Sequence, residues 1–382
     1  MSRYELLNGL LHFLFFFIGA GIGSFLNVVI YRLPRGISVN QPRRSFCPSC
    51  KNQIPMWLNI PLVSWVLLRG KCAKCGGSIS PRYLGVELLT GLLFYAVFWK
   101  VGGDWTAFKE WGPMMLCLWL FVSLLVAGTF IDIEHFILPH EITIGGTVAG
   151  LICASAVPEL VGEDTHLFGF LISLASAALG LGGLWLVVEL GKLAFGRKRH
   201  AFDKAEPWSV TQPNVEEPPV VSMGGEIYSW ADIYSRASDR MIITCGELRA
   251  NEQTWQNVTA ELWMEKLKVR TGDGKLEEFD LEHVIRLEGT TTEVVIPREA
   301  MGFGDVLFLM MIGSFAGWKA VLMTILVASV VGTLIAGLAR LVGRNEWGAK
   351  IPFGPYLAAG ALFWIFFGQE SLRWYMGLMV RG

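Results

Sequence analysis

Four cysteines and two aspartates have the types and spacing that chemistry requires. Cys47 and Cys50 form one C-x-x-C pair and Cys72 and Cys75 a second, while Cys117, Cys153 and Cys245 stand alone. Two tight thiol pairs suit a tetrahedral metal site better than a disulfide framework. Four sulfurs close the coordination shell and leave no open position for a substrate, so a structural zinc is expected, with an iron centre as the competitor. Such a metal would organise a loop too small to hold itself together by burial.

Asp132 ends the apolar run Gly128-Thr129-Phe130-Ile131, ahead of Ile133-Glu134-His135-Phe136-Ile137-Leu138-Pro139. Asp305 closes Met301-Gly302-Phe303-Gly304-Asp305 and opens the apolar run that begins at Val306. Each has a plain structural reading, Asp132 as a water-boundary carboxylate and Asp305 as a helix N-cap. Taken as a pair at helix ends on one side of a membrane, they suit peptide-bond hydrolysis. Two close carboxylates do not both ionise readily, so one takes a proton from the attacking water while its protonated partner polarises the carbonyl. The roles exchange during the cycle, and the sequence does not say which aspartate starts as base. Glu134, His135 and His140 are nearby alternatives. Glu134 ranks below Asp132, and a histidine beside a membrane is more often a surface or hydrogen-bonding residue.

The elements that must position these groups are membrane helices. The 382-residue chain is 53% hydrophobic and only 17% charged, against about 25% charged in soluble domains. A net charge of -1 argues against a nucleic-acid partner, since phosphate binding needs a basic surplus. Apolar stretches able to cross a ~30 Å hydrocarbon layer lie near 8–31, 83–101, 113–131, 141–158, 168–195 and 319–342. Shorter ones at 303–317 and 353–367 bring the expected count to about eight, in an all-α polytopic membrane protein. The first run extends to Tyr31, beyond the length of a signal-peptide core, and is read as an uncleaved helix.

Basic residues set the orientation. Arg32, Arg35, Arg43, Arg44, Lys51, Arg69, Lys71, Lys74 and Arg82 crowd the loop after the first helix, which is therefore expected in the cytoplasm. Arg197, Lys198, Arg199, Arg340, Arg344 and Lys350 then fall on the same side, and so do both aspartates. Trp99, Trp105, Trp111, Trp374 and Tyr375 fit an outer interfacial belt. From Arg197 to about Pro297 the chain turns polar. It starts with a loop-like run at Gln212 to Pro219, then shows strand patterns at Met241–Cys245, Glu261–Val269 and Thr292–Ile296, with a turn at Thr271-Gly272-Asp273-Gly274. A small, mostly β cytoplasmic insert without evident chemistry is expected, and no internal repeat is found. The expected organisation is a first helix at 1–31, a zinc-binding loop at 32–82, helices two to five with the first aspartate at 83–196, the insert at 197–297, and helices six to eight with the second aspartate at 298–382.

With these residues assembled, the chain resembles the prepilin peptidases, the bacterial type IV leader peptidase family of GxGD aspartyl membrane proteases. The resemblance rests on Gly23-Ser24-Phe25-Leu26-Asn27 through Arg32-Leu33-Pro34, the paired C-x-x-C motifs, Arg82-Tyr83 with Val86-Glu87-Leu88-Leu89-Thr90-Gly91, and Phe130-Ile131-Asp132 with Leu138-Pro139. Gly302 to Asp305 and Lys350-Ile351-Pro352-Phe353-Gly354-Pro355 complete it. It implies removal of a short basic leader after glycine from type IV prepilins or type II secretion pseudopilins, at the cytoplasmic face of the bacterial inner membrane, with Asp132 and Asp305 catalytic. It also implies N-methylation of the new terminus from S-adenosylmethionine. Leu307 stands where the family commonly has lysine, Leu84 replaces the usual proline after Arg-Tyr, and the insert is long.

Gly21-Ile22-Gly23 lies inside an apolar helix and is explained by close packing, not by cofactor binding. Methyl transfer therefore rests on the resemblance, and points to the N-terminal third, its zinc loop and Glu87, for which buried structural hydrogen bonding is an equal reading. The competing function is a zinc-stabilised assembly protein of a pilus or secretion machine, with both aspartates merely capping helices. The lipid bilayer is the expected environment, and the oligomeric state is not legible.

Overall fold

The computed structural model describes all residues except 1–2, 43, 103–107, 196, 213–217, 235–238, 285, 298–301, 342–351 and 382. Arg43, Trp105, Met301, Arg344, Lys350, Ile351 and the middle of the 212–219 run lie outside the described residues. The chain divides into two compact units, residues 1–185 with 302–382, and residues 186–301.

The first unit is helical. Its elements are α1 (Arg3–Arg32), a five-residue α2 (Val63–Leu67), α3 (Pro81–Val101), α4 (Phe108–His135), α5 (His140–Ala156) and the start of α6 (His166–Phe195). In the second unit follow a short α7 (Trp230–Ile233) and the strands; α8 (Phe303–Leu341) and α9 (Gly354–Arg381) return to the first. Five helical segments among the described residues are long and apolar enough to cross a membrane: 9–35, 81–101, 110–135, 158–192 and 303–339. At 17 residues, α5 spans only about 26 Å at 1.5 Å per residue, short of a ~30 Å layer. Gly317, at φ 80° and ψ 172°, breaks α8 into two pieces. Phe13, Leu92, Ile152 and Leu326 are exposed, as suits side chains that face lipid.

Water expulsion does not drive helices together inside a bilayer, so close contact between small residues must. A methyl added at Gly23 of α1 would stand 2.8 Å from Glu87 Cα, and one at Gly91 of α3 2.9 Å from the Phe16 ring. Gly21, by contrast, has open space beside it, so packing explains Gly23 only. The α4 helix joins this pair through Trp119, which stacks on Phe94 at 4.7 Å and donates to its carbonyl at 3.0 Å. Phe121 of α4 stacks on Phe315 of α8 at 4.7 Å. Ser173 of α6 donates to the Ser314 carbonyl at 2.6 Å, and Gly180 of α6 lies against the backbone of Leu309. The first half of α8 is thus gripped by several helices, and Leu307, Phe308, Leu309 and Met311 are all buried.

The second unit is an antiparallel sheet of β1 (Arg197–Thr211), β2 (Val220–Met223), β3 (Glu226–Ser229), β4 (Arg240–Ala250), β5 (Gln253–Trp263), β6 (Lys266–Arg270), β7 (Leu276–Asp280) and β8 (Leu287–Pro297). Their order is β3-β2-β1-β8-β4-β5-β6-β7. Alternate side chains of β4, including Met241, Ile243 and Cys245, join Trp208, Leu262, Val269 and Val294 in its core. The stretch Glu261–Val269 is not one strand but the facing ends of β5 and β6, with Leu262 opposite Leu267. The turn at 271–274 lies between β6 and β7.

Candidate active site and metal centre

The last turn of α4 carries Asp132. Phe136 then stops the helix, with a left-handed φ of 55° and its N–H on the Asp132 carbonyl at 2.9 Å, a conformation that usually falls to glycine. The chain turns back so that Leu138, 8% exposed, reaches both neighbouring helices. A methyl on Gly304 of α8 would stand 3.0 Å from Leu138 Cβ; one on Gly128 of α4 would stand 3.4 Å from Leu138 Cδ2 and 2.7 Å from the Phe308 ring. Asp132 lies one turn after Gly128 and Asp305 one turn before Phe308, so this contact brings the two aspartate-bearing ends together. Gly302 precedes α8, and the N–H of Asp305 donates back to its carbonyl at 3.2 Å. Asp305 is therefore the third residue of the helix and not its cap.

Asp132 is 5% and Asp305 7% exposed. Neither pairs with a basic side chain among the described residues, and the packing at Gly128, Leu138 and Gly304 brings together the helix ends that carry them. Burial of Asp132 removes the water-boundary reading. Its Oδ2 accepts the Gly354 N–H at 2.9 Å, at the positive start of α9. Gly354 belongs to a motif noted in the sequence, but no role was evident for it there.

Of the alternatives, Glu134 pairs with Arg82 at 2.7 Å, and His135 Nε2 lies 3.4 Å from the Arg35 guanidinium. His140 is exposed in the first turn of α5. Glu87 is 8% exposed and accepts the Leu62 N–H at 2.7 Å.

The four cysteine sulfurs lie within 4.8 Å of one another, with Cys47 and Cys75 Sγ 3.9 Å apart. Metal–sulfur bonds of ~2.3 Å in a tetrahedron put sulfurs about 3.8 Å apart, so the cluster fits a metal ion. The knuckles repeat one geometry. Cys47 N–H donates to the Asn52 carbonyl and Cys72 N–H to the Gly77 carbonyl, both at 2.9 Å, and Lys51 and Gly76 take matching left-handed φ values of 56° and 69°. Backbone N–H groups of Cys75 and Lys74 pull the Cys72 thiol down to about 6, while Cys75, which the Gly77 backbone lowers, is pushed up to about 11 by Cys50 and Cys72 beside it.

Between these knuckles and the helices α1 and α3 lies a cavity of about 570 Å³. Asn27, 2% exposed, lines it. Its Nδ2 donates to the Tyr83 carbonyl at 3.0 Å, while its Oδ1 has no partner among the described residues. That oxygen is closed off from solvent; the polar and aromatic lining of the cavity, which includes Ser24, Tyr31, Trp65, Tyr83 and Glu87, fits a small polar ligand.

Residues 17–101 match the bacterial peptidase A24 N-terminal domain, and residues 119–197 and 284–337 match the type IV leader peptidase family. The chain is similar to proteins named prepilin leader peptidase/N-methyltransferase. The one from Stutzerimonas stutzeri is 29% identical over 94% of this chain and 91% of the relative. The Dichelobacter nodosus protein is 35% identical over 48% of this chain and 68% of the relative, and that of Myxococcus xanthus 43% identical over 48% and 50%. No solved structure matches. The family match covers both Asp132 and Asp305, and most of the β unit lies between its two parts; by this match and these relatives the chain belongs to the type IV leader peptidase family.

Proposed function

We propose that this protein is a membrane aspartyl endopeptidase that removes the basic leader of prepilins or pseudopilins after glycine and then N-methylates the new terminus. The observation that carries the proteolytic site is the meeting of two buried, unpaired aspartates, Asp132 and Asp305, at abutting ends of α4 and α8. One carboxylate, ionised, takes a proton from water as its oxygen attacks the scissile carbonyl, and the other, protonated, donates to the carbonyl oxygen. Collapse of the resulting gem-diol breaks the C–N bond: the leaving amine takes the proton held by the first carboxylate, and a gem-diol hydroxyl returns a proton to the second, which restores the starting state. The Gly354 N–H holds Asp132 in one orientation throughout. S-adenosylmethionine, when bound, supplies an electrophilic methyl to the released amine.

The cysteine cluster holds a structural zinc in this reading: four sulfurs fill its shell and none is left to activate water. Eight segments cross the membrane, counting α5, the two parts of α8 divided at Gly317, and α9. In this reading the basic loop between α1 and α3 lies in the cytoplasm, and the metal centre and both aspartates lie on that side of the bacterial inner membrane, as the excess of Lys and Arg in the loop supports. Leader removal and methylation are read together by incubating membranes containing the protein with a prepilin and S-adenosylmethionine and weighing the product. The expected product lacks the leader and carries one added methyl group; an intact prepilin would refute the proteolytic reading.

A further inference from the structure

Residues 52–68 carry no charge, between Lys51 and Arg69, yet the protein leaves their large apolar side chains bare. Met56 and Trp57, in a short 3-10 turn, are 78% and 72% exposed, and Leu67 of α2 is 76% exposed. Ile60, Val63 and Val66 are exposed as well, while Ser64 of α2 is buried. Apolar groups gathered in this way mark a surface that something else covers.

The segment lies beside α1 and α3 well inside their apolar stretches. A γ-turn forms at Leu62, with φ 64° and ψ −50° and the Val63 N–H on the Pro61 carbonyl at 2.7 Å, a rare conformation for a residue with a side chain. The Leu62 N–H donates to Glu87 at 2.7 Å. Glu87 stands about 9 Å along α3 from Pro81 at 1.5 Å per residue, and α3 is a spanning segment from Pro81 onward. On the other side, Asn59 and Pro61 share a cleft with Gly21 and Phe25 of α1, and Phe25 lies about 10 Å before the end of that helix. Both helices thus put residues 59–63 at a level that matches the roughly 5–10 Å depth of interfacial segments.

We propose that residues 56–67 form a re-entrant anchor that dips into the lipid headgroup and upper acyl layer, on the membrane face that carries the metal centre. The inference rests on α1 and α3 crossing the bilayer, and on neither proteolysis nor methyl transfer. Lipid is the occupant for three reasons besides depth. The apolar surface is continuous with a lipid-facing helix, since Phe25 beside Pro61 is itself exposed. Trp57 has the amphipathic ring that favours the headgroup boundary, and the exposed Arg69 and Lys71 follow the apolar run, placed to meet anionic headgroups. Every backbone N–H from Leu58 to Ser64 is bonded, Pro61 having none, as a segment shielded from water requires. The two cysteine knuckles flank this segment, so the anchor holds the metal centre at the membrane surface.

The test uses the full-length protein in vesicles of phosphatidylethanolamine and phosphatidylglycerol, with no substrate or partner present. Two probes approach the segment from opposite sides: an apolar aryl diazirine that partitions among the acyl chains, and hydroxyl radicals made by radiolysis of the water. Mass spectrometry maps both. The expected result is diazirine adducts on 56–67 at a yield like that of the exposed Phe13 on α1. Met56 is expected to oxidise less than Met264 of the β unit, which is partly buried, although the protein itself leaves Met56 the more exposed of the two. Ready oxidation of Met56 and Trp57 without adducts would put the segment in water and overturn the proposal. Little oxidation without adducts would put it against a second copy of the chain, and overturn it too. With Val66→Asp and Leu67→Asp combined, the adducts on 56–67 are expected to be largely lost. Adducts undiminished in that variant at full zinc content would trace the label to reagent held by the protein and contradict the anchor; if the variant loses its zinc, the wild-type map decides alone.

Discussion

The Gly354 N–H donates to Asp132 Oδ2 at 2.9 Å across 222 residues of sequence. An amide at the start of α9 thereby holds a buried carboxylate at the end of α4. A Cβ at Gly354 would stand 2.7 Å from that same oxygen, so Gly354→Ala must push the carboxylate aside. Displacements near 1 Å at a reacting group cost on the order of 10²-fold in rate. Gly354→Ala is expected to lower kcat for leader cleavage by about that factor with KM little changed, measured by steady-state cleavage of a prepilin.

The contact that joins α4 to α8 gives a pairwise prediction. In Gly128→Ala the new methyl meets the Phe308 ring at 2.7 Å, and overpacking of this kind costs about 1–3 kcal/mol. Shortening the partner in Phe308→Leu opens the space. The double variant is expected to be more stable than the sum of the single effects predicts, by about 0.5–3 kcal/mol, in thermal unfolding in detergent.

Thiol labelling separates the cysteines by environment. Burial pushes the Cys245 thiol up to about 12, whereas Cys50 and Cys75 are exposed knuckle ligands. With zinc removed by a chelator at pH 8, Cys72, whose thiol is held down to about 6, is expected to react with iodoacetamide while Cys245 stays unlabelled. An unfolded thiol ionises near 9, so the preference of the folded β unit for neutral Cys245 is complete below that pH. It is lost as pH rises from about 9 to about 12. Labelling of Cys245, followed by mass spectrometry, should therefore appear only in that alkaline range.

A pair of carboxylates that works with one shared proton fails when it holds two protons or none. The kcat/KM of cleavage is expected to fall on both sides of an optimum. Replacing either aspartate by asparagine should abolish the profile along with the activity.

Much of the site was legible because its chemistry is local. The G-x-G-D run opens a helix, Asp132 sits in the final turn of an apolar one, and each C-x-x-C makes a knuckle through its own neighbours. What stayed hidden is what distant residues do to one another. Neither the hold of Gly354 on Asp132 nor the space Gly128 leaves for Phe308 is marked by any neighbouring residue. The two knuckles repeat one backbone geometry, yet Lys51 stands where the second has Gly76, which masks the likeness. In the β unit, β1 went unseen because it opens on Arg197-Lys198-Arg199 and contains Pro207, and it pairs with the distant β8 through a bulge between Ala201 and Glu206. Against the eight spans expected from the apolar runs, five helical segments among the described residues are by themselves long and apolar enough to cross a membrane.

The central claim is that Asp132 and Asp305 act as one unit. It is tested most directly by leader cleavage with Asp132→Ala, Asp305→Ala and the double variant, each at matched membrane levels. Each single variant is expected to lose on the order of 10³-fold or more in rate, and the double to be no slower than the worse single, since half a dyad has no function left to lose. Full cleavage by either single variant, or losses that multiply in the double, would contradict the account.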